Sequence, residues 1–351
     1  MKKSKLFLFF LLPLAVLLLS GCSSNITGSS WPGVNATEDT VFVSYMTNVY
    51  AVNAANGSMI WQYPEKAGRT MFFAAPTISG DQVIVGDYSN VLHSLNAKTG
   101  AEIWTFTQAT NDWVASPIVV GDTILAPNSD KFLYALDLNG KLKWKFETER
   151  AIWSQPVSDG ETVFLASMDH NLYAIDLANG TQKWLLSVGG AVPYGLTLDN
   201  DGILYMTTLA HNLMAVDSTT GKVLWEKKYT ATLWTHPLLS EGVLYFGDMD
   251  GNIYANSAKD GSQLWTLAVG EAITGQPTLV DENVIFSTET GSLIAVNLQG
   301  QREWTLTFEG PLYNGPVKVG DQLALGINNK DTFLRMLNAS GQGVWTFVAP
   351  K

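Results

Sequence analysis

Residues 174–184 read AIDLANGTQKW, in which an Ala-x-Asp segment is followed by Asn179-Gly180 and then by Trp184. The same phrase recurs at residues 51–61 (AVNAANGSMIW) and 215–225 (AVDSTTGKVLW). An Asp or Asn side chain can accept hydrogen bonds from the backbone of a tight turn, and glycine adopts the left-handed conformation that other residues resist. The phrase therefore predicts a tight connection between two strands, the second of which carries a tryptophan with a large apolar surface to bury.

The tryptophan of this phrase returns at a nearly constant spacing. Consecutive copies are separated by 43, 40, 40, 41, 40, 39 and 41 residues. The eight positions are Trp61, Trp104, Trp144, Trp184, Trp225, Trp265, Trp304 and Trp345. Three copies of the phrase, at residues 135–144, 295–304 and 336–345, are one residue shorter than the others. A fixed period of this length indicates a repeat architecture.

Each repeat also contains three short apolar runs before its tryptophan strand. Examples are Pro117-Ile-Val, Val163-Phe-Leu and Leu172-Tyr-Ala-Ile-Asp. Short β-branched and aromatic runs separated by Gly, Asn and Asp predict β-strands. Four-stranded units that bury their faces on one another predict an all-β fold, an eight-bladed β-propeller of four-stranded antiparallel blades over residues 31–351. The sequence leaves open whether the first and eighth blades exchange a strand.

The repeated phrase resembles the tryptophan-docking repeat of the pyrroloquinoline quinone (PQQ)-type propellers. The resemblance extends over nearly all of the chain after its N-terminal segment. It implies that the alanine packs closely and that the eight tryptophans dock between adjacent blades. The resemblance thus assigns these tryptophans to structure rather than to function.

The first residues predict a lipoprotein signal peptide over residues 1–21. Lys2, Lys3 and Lys5 precede an apolar run that is short for a membrane-spanning helix. Leu19-Ser-Gly-Cys22 resembles a bacterial lipobox, which implies a diacylglyceryl group and fatty acids such as palmitate on Cys22. An ordinary secretory signal that happens to contain a cysteine is the alternative. Residues 22–30 are predicted to be the lipid anchor and a flexible tether, because 23–30 (SSNITGSS) are small and polar.

Charge and cysteine content exclude several classes of function. Removal of residues 1–21 takes away three lysines and moves the formal net charge from −11 to −14. An acidic chain without a basic cluster is not expected to bind nucleic acid. Cys22 is the only cysteine, so no disulfide can form within the chain. We expect a monomeric propeller on the outer face of the cytoplasmic membrane or on the outer membrane.

The sequence does not favour an enzyme, although the propeller type includes PQQ-dependent dehydrogenases. Those enzymes have a larger catalytic propeller and many carry adjacent cysteines near the cofactor. The even repeat spacing here leaves little room for inserted catalytic loops. We therefore predict no catalytic residues and no cofactor, PQQ included.

No metal site is predicted either. Asp248-x-Asp250-Gly-Asn252 begins like a calcium loop, but a hairpin turn explains it equally well. His170 and His211 occupy the same place in adjacent repeats. A repeated turn residue is a simpler interpretation than half of a zinc site, because two ligands do not make one.

The links that precede the first strand of each repeat are aromatic. Two to four residues before the proline position, or its equivalent, stand Phe73, Trp113, Trp153, Tyr194, Trp234 and Tyr313, and Trp31 lies near the corresponding place in the first repeat. Polar residues such as Gln155, His236 and Gln276 follow them. In a propeller these residues surround the mouth of the central channel, where they could bind a ligand or a protein. Capping of the hydrophobic interior between blades is the alternative for each of them.

A signal of this type before such a propeller resembles the lipoprotein family of the outer-membrane β-barrel assembly machine. That resemblance implies a non-enzymatic scaffold that binds a protein partner in the cell envelope. The alternative function is a surface module that binds or senses a ligand through the aromatic mouth. A PQQ-dependent dehydrogenase is the least favoured of the three.

Overall fold

The protein is described by a computed structural model that covers residues 31–66, 68–329 and 331–350. The predicted signal peptide, Cys22 and the tether lie outside the described residues. Within them, eight separate sheets each contain four antiparallel strands, which confirms the all-β fold and the eight blades. The described part of the chain contains no helix that is long and apolar enough to cross a membrane.

The strands of the first four blades have the following bounds. Blade 1 comprises β1 (Gly33–Ala36), β2 (Thr40–Tyr45), β3 (Asn48–Asn53) and β4 (Met59–Tyr63); blade 2 comprises β5 (Thr77–Ser79), β6 (Gln82–Gly86), β7 (Leu92–Asn96) and β8 (Glu102–Phe106); blade 3 comprises β9 (Ile118–Val120), β10 (Thr123–Pro127), β11 (Phe132–Asp137) and β12 (Leu142–Glu147); blade 4 comprises β13 (Val157–Ser158), β14 (Thr162–Ala166), β15 (Asn171–Asp176) and β16 (Gln182–Ser187).

The remaining blades repeat the same order. Blade 5 comprises β17 (Thr197–Leu198), β18 (Ile203–Thr207), β19 (Asn212–Asp217) and β20 (Val223–Lys228); blade 6 comprises β21 (Leu238–Ser240), β22 (Val243–Gly247), β23 (Asn252–Ser257) and β24 (Gln263–Ala268); blade 7 comprises β25 (Thr278–Val280), β26 (Asn283–Ser287), β27 (Ser292–Asn297) and β28 (Arg302–Thr307); blade 8 comprises β29 (Val317–Val319), β30 (Gln322–Gly326), β31 (Leu334–Asn338) and β32 (Gly343–Phe347).

The ring closes without strand exchange among the described residues. The β1 strand pairs with β2 of its own blade, and β32 pairs with β31. Blade 8 meets blade 1 through side chains instead, because β1 packs against β29 and β30. Of the two arrangements that the sequence allowed, the structure therefore has the one with eight self-contained blades.

The burial of each strand follows from its place in the blade. The second and third strands are buried on both faces, as in β14, where all five residues are buried, because a neighbouring blade covers each side. They consequently read as continuous apolar runs rather than as alternating ones. The fourth strands alternate between partly buried and exposed residues, as in β20, because one face packs inward while the other meets solvent. Eight hydrophobic clusters lie between neighbouring blades, such as the one that joins Phe42 and Trp61 of blade 1 to Val83 of blade 2.

The phrase that fixes the repeat builds the turn between the third and fourth strands. The Asp176 Oδ1 atom accepts hydrogen bonds from the amides of Ala178 and Asn179, at 3.0 and 3.2 Å. Gly180 has a φ of 76°, and a Cβ atom at this position would lie 2.7 Å from the Trp144 indole of the preceding blade. Glycine is therefore required twice, for its backbone conformation and for the close approach of the ring.

The tryptophans form a continuous ring of contacts between blades. Each indole lies against the turn glycine of the next blade, and Trp345 closes the circle on Gly57. Seven indole N–H groups also donate to a carbonyl of the next blade at 2.7–3.0 Å, namely Trp61 to Ala97, Trp104 to Leu138, Trp144 to Leu177, Trp184 to Ser218, Trp225 to Ala258, Trp265 to Leu298 and Trp345 to Ala54. The Trp304 N–H is buried without a hydrogen-bond partner among the described residues, so the seam between blades 7 and 8 lacks this bond.

Candidate functional site

The two faces of the disc carry different connections. One face, which we call the repeat face, carries the turns between first and second strands and those between third and fourth strands. The other, which we call the mouth face, carries the turns between second and third strands and the links between blades. On the mouth face the seven links and the segment at Trp31 that precedes β1 surround an axial cavity of about 680 Å³. This volume lies within the usual range for small-molecule sites.

Position within each link decides whether a side chain reaches this cavity. The fourth residue before the proline that opens the first strand is buried between blades, as in Phe72, Trp113, Ile152, Leu233, Ile273 and Leu312. The third residue before it faces the cavity, as in Phe73, Val114, Trp153, Trp234, Thr274 and Tyr313. A neighbouring pair of residues in one link can therefore have unrelated roles.

Five of the six residues predicted at the mouth line the cavity. These are Phe73, Trp153, Tyr194, Trp234 and Tyr313, and Trp31 joins them. Trp113 does not line it and is 0% exposed, packed in the core between blades 2 and 3. The expectation for Trp113 is therefore corrected, because this residue stands four positions before Pro117 and Val114 takes the place that faces the cavity.

The aromatic walls form two groups on opposite sides of the cavity. Near blades 8, 1 and 2, Trp31 lies 5.5 Å from both Phe73 and Tyr313, and Phe73 stacks on Tyr88 at 3.9 Å between ring centroids. Near blades 5 and 6, Tyr194 and Trp234 make an edge-to-face contact at 6.4 Å.

Trp153, on the link into blade 4, belongs to neither aromatic group. It is 41% exposed, whereas most large apolar side chains of this protein are buried. Its indole therefore presents an uncovered aromatic surface beside the cavity.

The Tyr194 side chain crosses the cavity from the link into blade 5. Its hydroxyl donates to the Tyr313 carbonyl at 2.8 Å and lies 3.1 Å from Asn314 Oδ1, both on the link into blade 8. Burial raises the pKa of Tyr194, so this hydroxyl stays protonated and can donate. The Asn314 side chain in turn donates to the Pro32 carbonyl at 2.9 Å. Links that are distant along the chain are thereby held together across the axis.

The residue directly before each proline also lines the cavity, and we call this set of residues the inner ring. Gln155, His236 and Gln276 contribute neutral polar groups to it, and Gly315 lies directly beside Gln276. A Cβ atom on Gly315 would lie 1.8 Å from the Gln276 carbonyl oxygen, so only glycine permits this approach. Burial lowers the pKa of His236 to about 4, so its imidazole is neutral at pH 7. Its Nδ1 atom has no hydrogen-bond partner among the described residues.

Glu289, on the turn between β26 and β27, is the only charged residue in the described cavity lining. PQQ is a polycarboxylate, and its tight binding calls for cationic side chains or metal ions. Neither lysine nor arginine is found among the described lining residues, so these residues do not fit that cofactor. In the described ranges, no three His, Cys, Asp or Glu side chains form a cluster that could hold a metal ion.

The histidine and aspartate candidates for metal binding have structural roles. His170 and His211 adopt φ values of 70° and 72° in the turns between second and third strands, which explains their shared position. The Asp248 Oδ1 atom accepts hydrogen bonds from the amides of Asp250 and Asn252, at 3.0 and 2.8 Å. Its Oδ2 atom accepts one from the Tyr254 hydroxyl at 2.8 Å, so this carboxylate is already engaged in its own hairpin.

Some residues that were not predicted from the sequence reach the cavity from the turns between second and third strands. Tyr88, Met249 and Glu289 each occupy the second position of such a turn and line the cavity. The signal was present, because these turns lie on the same face as the links and Tyr88 is aromatic. These residues can be identified by their shared second position in the turn, and not by their distance from a proline.

The repeat, the tryptophan ring and the closed circle of eight blades define a PQQ-type repeat propeller, as the sequence predicted. The chain belongs to the family described as outer membrane protein assembly factor BamB, whose model matches residues 23–193 and 187–273. These two segments together cover more than half of the chain.

Individual relatives match shorter regions. The outer membrane protein assembly factor BamB of Yersinia pestis is 25% identical over 204 residues, which is 51% of this chain and 52% of that protein. A quinohemoprotein alcohol dehydrogenase of Pseudomonas putida is 28% identical over 225 residues, 52% of this chain and 31% of that enzyme. The chain spans about half the length, or less, of the curated relatives that it matches.

Solved structures show the same fold. BamB from Moraxella catarrhalis superposes with a TM-score of 0.73 at 20% identity, over 86% of this chain and 94% of that one. The computationally designed Ika8 protein superposes with a TM-score of 0.75 at 12% identity, over 89% of this chain and 98% of that one. A designed protein with the same shape illustrates that the shape alone does not specify a function.

Proposed function

We propose that this protein is an exported, lipid-anchored and non-enzymatic scaffold that takes part in the assembly of outer-membrane proteins. The observation that carries the proposal is the match to the BamB family model over more than half of the chain. The proposed partner is a protein of the cell envelope, bound by a single copy of the propeller.

The lipid anchor is supported by the sequence before the propeller. Cys22 follows Leu-Ser-Gly at the end of an apolar run, and the family match begins at the next residue, 23. Two or more acyl chains would hold the protein stably on a membrane, which one chain does not achieve. Replacement of Cys22 by alanine is expected to abolish incorporation of labelled palmitate and to release the protein from the membrane fraction.

The mouth face is the surface that could encode a specific partner. Five of its seven links are nine residues long, and those between blades 1 and 2 (residues 64–76) and blades 2 and 3 (residues 107–117) are longer. The side chains that the links present to the cavity differ from blade to blade. The repeat face carries nearly the same short turns in each blade, and it is occupied by the tryptophan contacts. Variable loops on a rigid scaffold are where binding residues concentrate.

Site-specific photo-crosslinking in intact cells tests this role. A photoreactive residue at exposed Glu149, on the mouth face, is expected to capture a barrel-assembly protein. The matched control at Lys98, in an exposed turn of the repeat face, is expected to capture none of it. Capture from Lys98 alone would move the interface to the repeat face, and capture from neither position would overturn the scaffold role.

A quinoprotein dehydrogenase is the second candidate, because the relative from Pseudomonas putida is such an enzyme. The absence of lysine and arginine from the described cavity lining argues against it. Titration of the purified protein with PQQ, followed by tryptophan fluorescence, is expected to show no saturable quenching. Saturable binding that Trp153→Ala removes would overturn the non-enzymatic proposal.

A further inference from the structure

We propose that the axial cavity binds a neutral saccharide of one or two rings. This site is distinct from the proposed protein-binding role and does not depend on it. The proposal combines three features of the cavity: its aromatic walls, its neutral polar inner ring and the absence of lysine and arginine from the lining that the structure describes.

The aromatic walls fit the apolar faces of a sugar ring. Trp153 is 41% exposed beside the cavity, and no other aromatic ring among the described residues stacks on it. The face of an indole carries negative charge density, and the C–H groups on one side of a pyranose are weakly positive, so the two stack. Trp31 and Tyr313, on the opposite wall, would limit the thickness of the ligand.

The inner ring fits hydroxyl groups. Gln155 and Gln276 each offer a carbonyl oxygen and an amide group, so each side chain can both accept and donate. The neutral His236 imidazole has one donor and one acceptor nitrogen, and the residue is part of the cavity lining. A sugar hydroxyl also both donates and accepts, which matches this set better than a group that can only do one.

The charge and the polar groups of the cavity disfavour anions and quaternary ammonium ions as ligands. Because Glu289 is the only charged residue of the described lining and the whole chain has a formal net charge of −11, anions are disfavoured. A quaternary ammonium ion could sit against the aromatic rings near Glu289. The ammonium group of such a cation forms no hydrogen bonds, however, and would make no use of the polar groups of Gln276 and His236.

Calorimetric titration of the full chain in detergent tests the proposal. The probes are glucose, maltose, N-acetylglucosamine and its β-1,4 disaccharide, with choline as the cationic comparison. We expect at least one saccharide to bind with a Kd between about 10 µM and 10 mM, and choline not to bind.

Two variants with exposed side chains separate the site from the fold. Trp153→Ala removes the stacking surface and Gln276→Ala removes an inner polar group, so each is expected to weaken binding by about tenfold or more. Ile103→Ala, on the outer strand of blade 2, is the control and is expected to leave binding unchanged. Circular dichroism and the urea midpoint of each variant verify folding.

Three results would overturn the proposal. They are failure of every saccharide to bind below about 10 mM, binding of choline alone, and equal affinity of folded Trp153→Ala and wild type. Crosslinking from Glu149 is expected to be the same in Trp153→Ala and wild type, so failure of the saccharide site would be distinguishable from failure of the scaffold role.

Discussion

The repeat face and the mouth face are built from the same eight repeats, but the first is nearly uniform and the second is variable. On the repeat face the same contact, an indole on a glycine with a left-handed backbone, recurs at every blade interface. On the mouth face the third residue before each proline, which faces the cavity, is tryptophan, phenylalanine, tyrosine, valine or threonine. The contrast shows that one contact, repeated in each blade, holds the repeat face together, whereas the surface around the axis uses a different side chain in each link and is joined by single contacts such as that from Asn314 to the Pro32 carbonyl.

The largest expected difference between the faces concerns tryptophan truncation. Trp184→Ala removes an indole that packs on Gly221 and donates to Ser218, so we expect a loss of about 3–5 kcal/mol in the free energy of unfolding. Trp153→Ala on the mouth face is expected to cost less than about 1 kcal/mol, because its side chain is 41% exposed. Urea denaturation measures both. Similar losses would show that the mouth aromatics cap the core and would remove the contrast.

Glycine replacement separates the indole contact from backbone strain. Gly180→Ala meets both a left-handed φ and the Trp144 ring, so we expect a loss of about 2–4 kcal/mol. Gly121→Ala also has a left-handed φ, of 58°, but its Cβ would meet nothing within 4 Å, so a loss of about 1 kcal/mol is expected. Equal losses in thermal or urea unfolding would argue against tight indole packing.

The unpaired Trp304 allows the indole hydrogen bond to be measured within the repeat face. Trp184→Phe leaves the Ser218 carbonyl without its donor, whereas Trp304→Phe breaks no such bond. We expect Trp184→Phe to be the more destabilising by about 1 kcal/mol. The two urea midpoints give the difference, and a larger loss in Trp304→Phe would show that its N–H has a partner.

The smallest expected effect is a pH dependence at the seam between blades 1 and 2. The Glu102 Oε2 atom accepts a hydrogen bond from the Tyr63 hydroxyl at 2.5 Å and lies 3.1 Å from His93 Nδ1. Burial alone raises the pKa of Glu102, but these hydrogen bonds outweigh it and hold the pKa below its ordinary value of 4.5. The folded state therefore gains stability from Glu102 above about pH 4.5 and loses it as the pH falls through the lowered pKa.

Comparison of Glu102→Gln with wild type tests this effect. The gap between their urea midpoints is expected to be larger at pH 7 than at pH 3, by a small amount because the Glu102 side chain is 42% exposed. Glu226→Gln, on the exposed face of β20, serves as the control. A gap that is independent of pH would show that the Glu102 carboxylate does not stabilise the fold.

The sequence predicted the repeat face well because its chemistry is local. The turn aspartate, the glycine and the tryptophan all lie within one phrase, and repetition in eight copies made the blade assignment secure. The mouth was predicted less well because a link position changes its environment from one residue to the next. Trp113 and Trp153 look equivalent by composition, yet one is buried between blades and the other faces the cavity.

Other features required three-dimensional information. The hydrogen bond from Tyr194 to the Tyr313 carbonyl joins residues that are 119 positions apart, and no local pattern encodes such a pair. The missing partner of Trp304 depends on the orientation of a single ring. Whether blades 1 and 8 share a strand could not be predicted from the sequence either, since both pairings satisfy the same apolar pattern.

The position of Trp31 has a consequence for how the molecule stands on a membrane. Trp31 packs against Phe73 and Tyr313 at the axial cavity, so the chain enters the propeller from the mouth face. A lipid on Cys22 would be separated from Trp31 by eight intervening residues, which can span at most about 30 Å. Such an anchor would therefore keep the mouth face within about 30 Å of the bilayer surface. Any partner reaching the cavity would then have to enter through the narrow layer between the protein and the lipid surface.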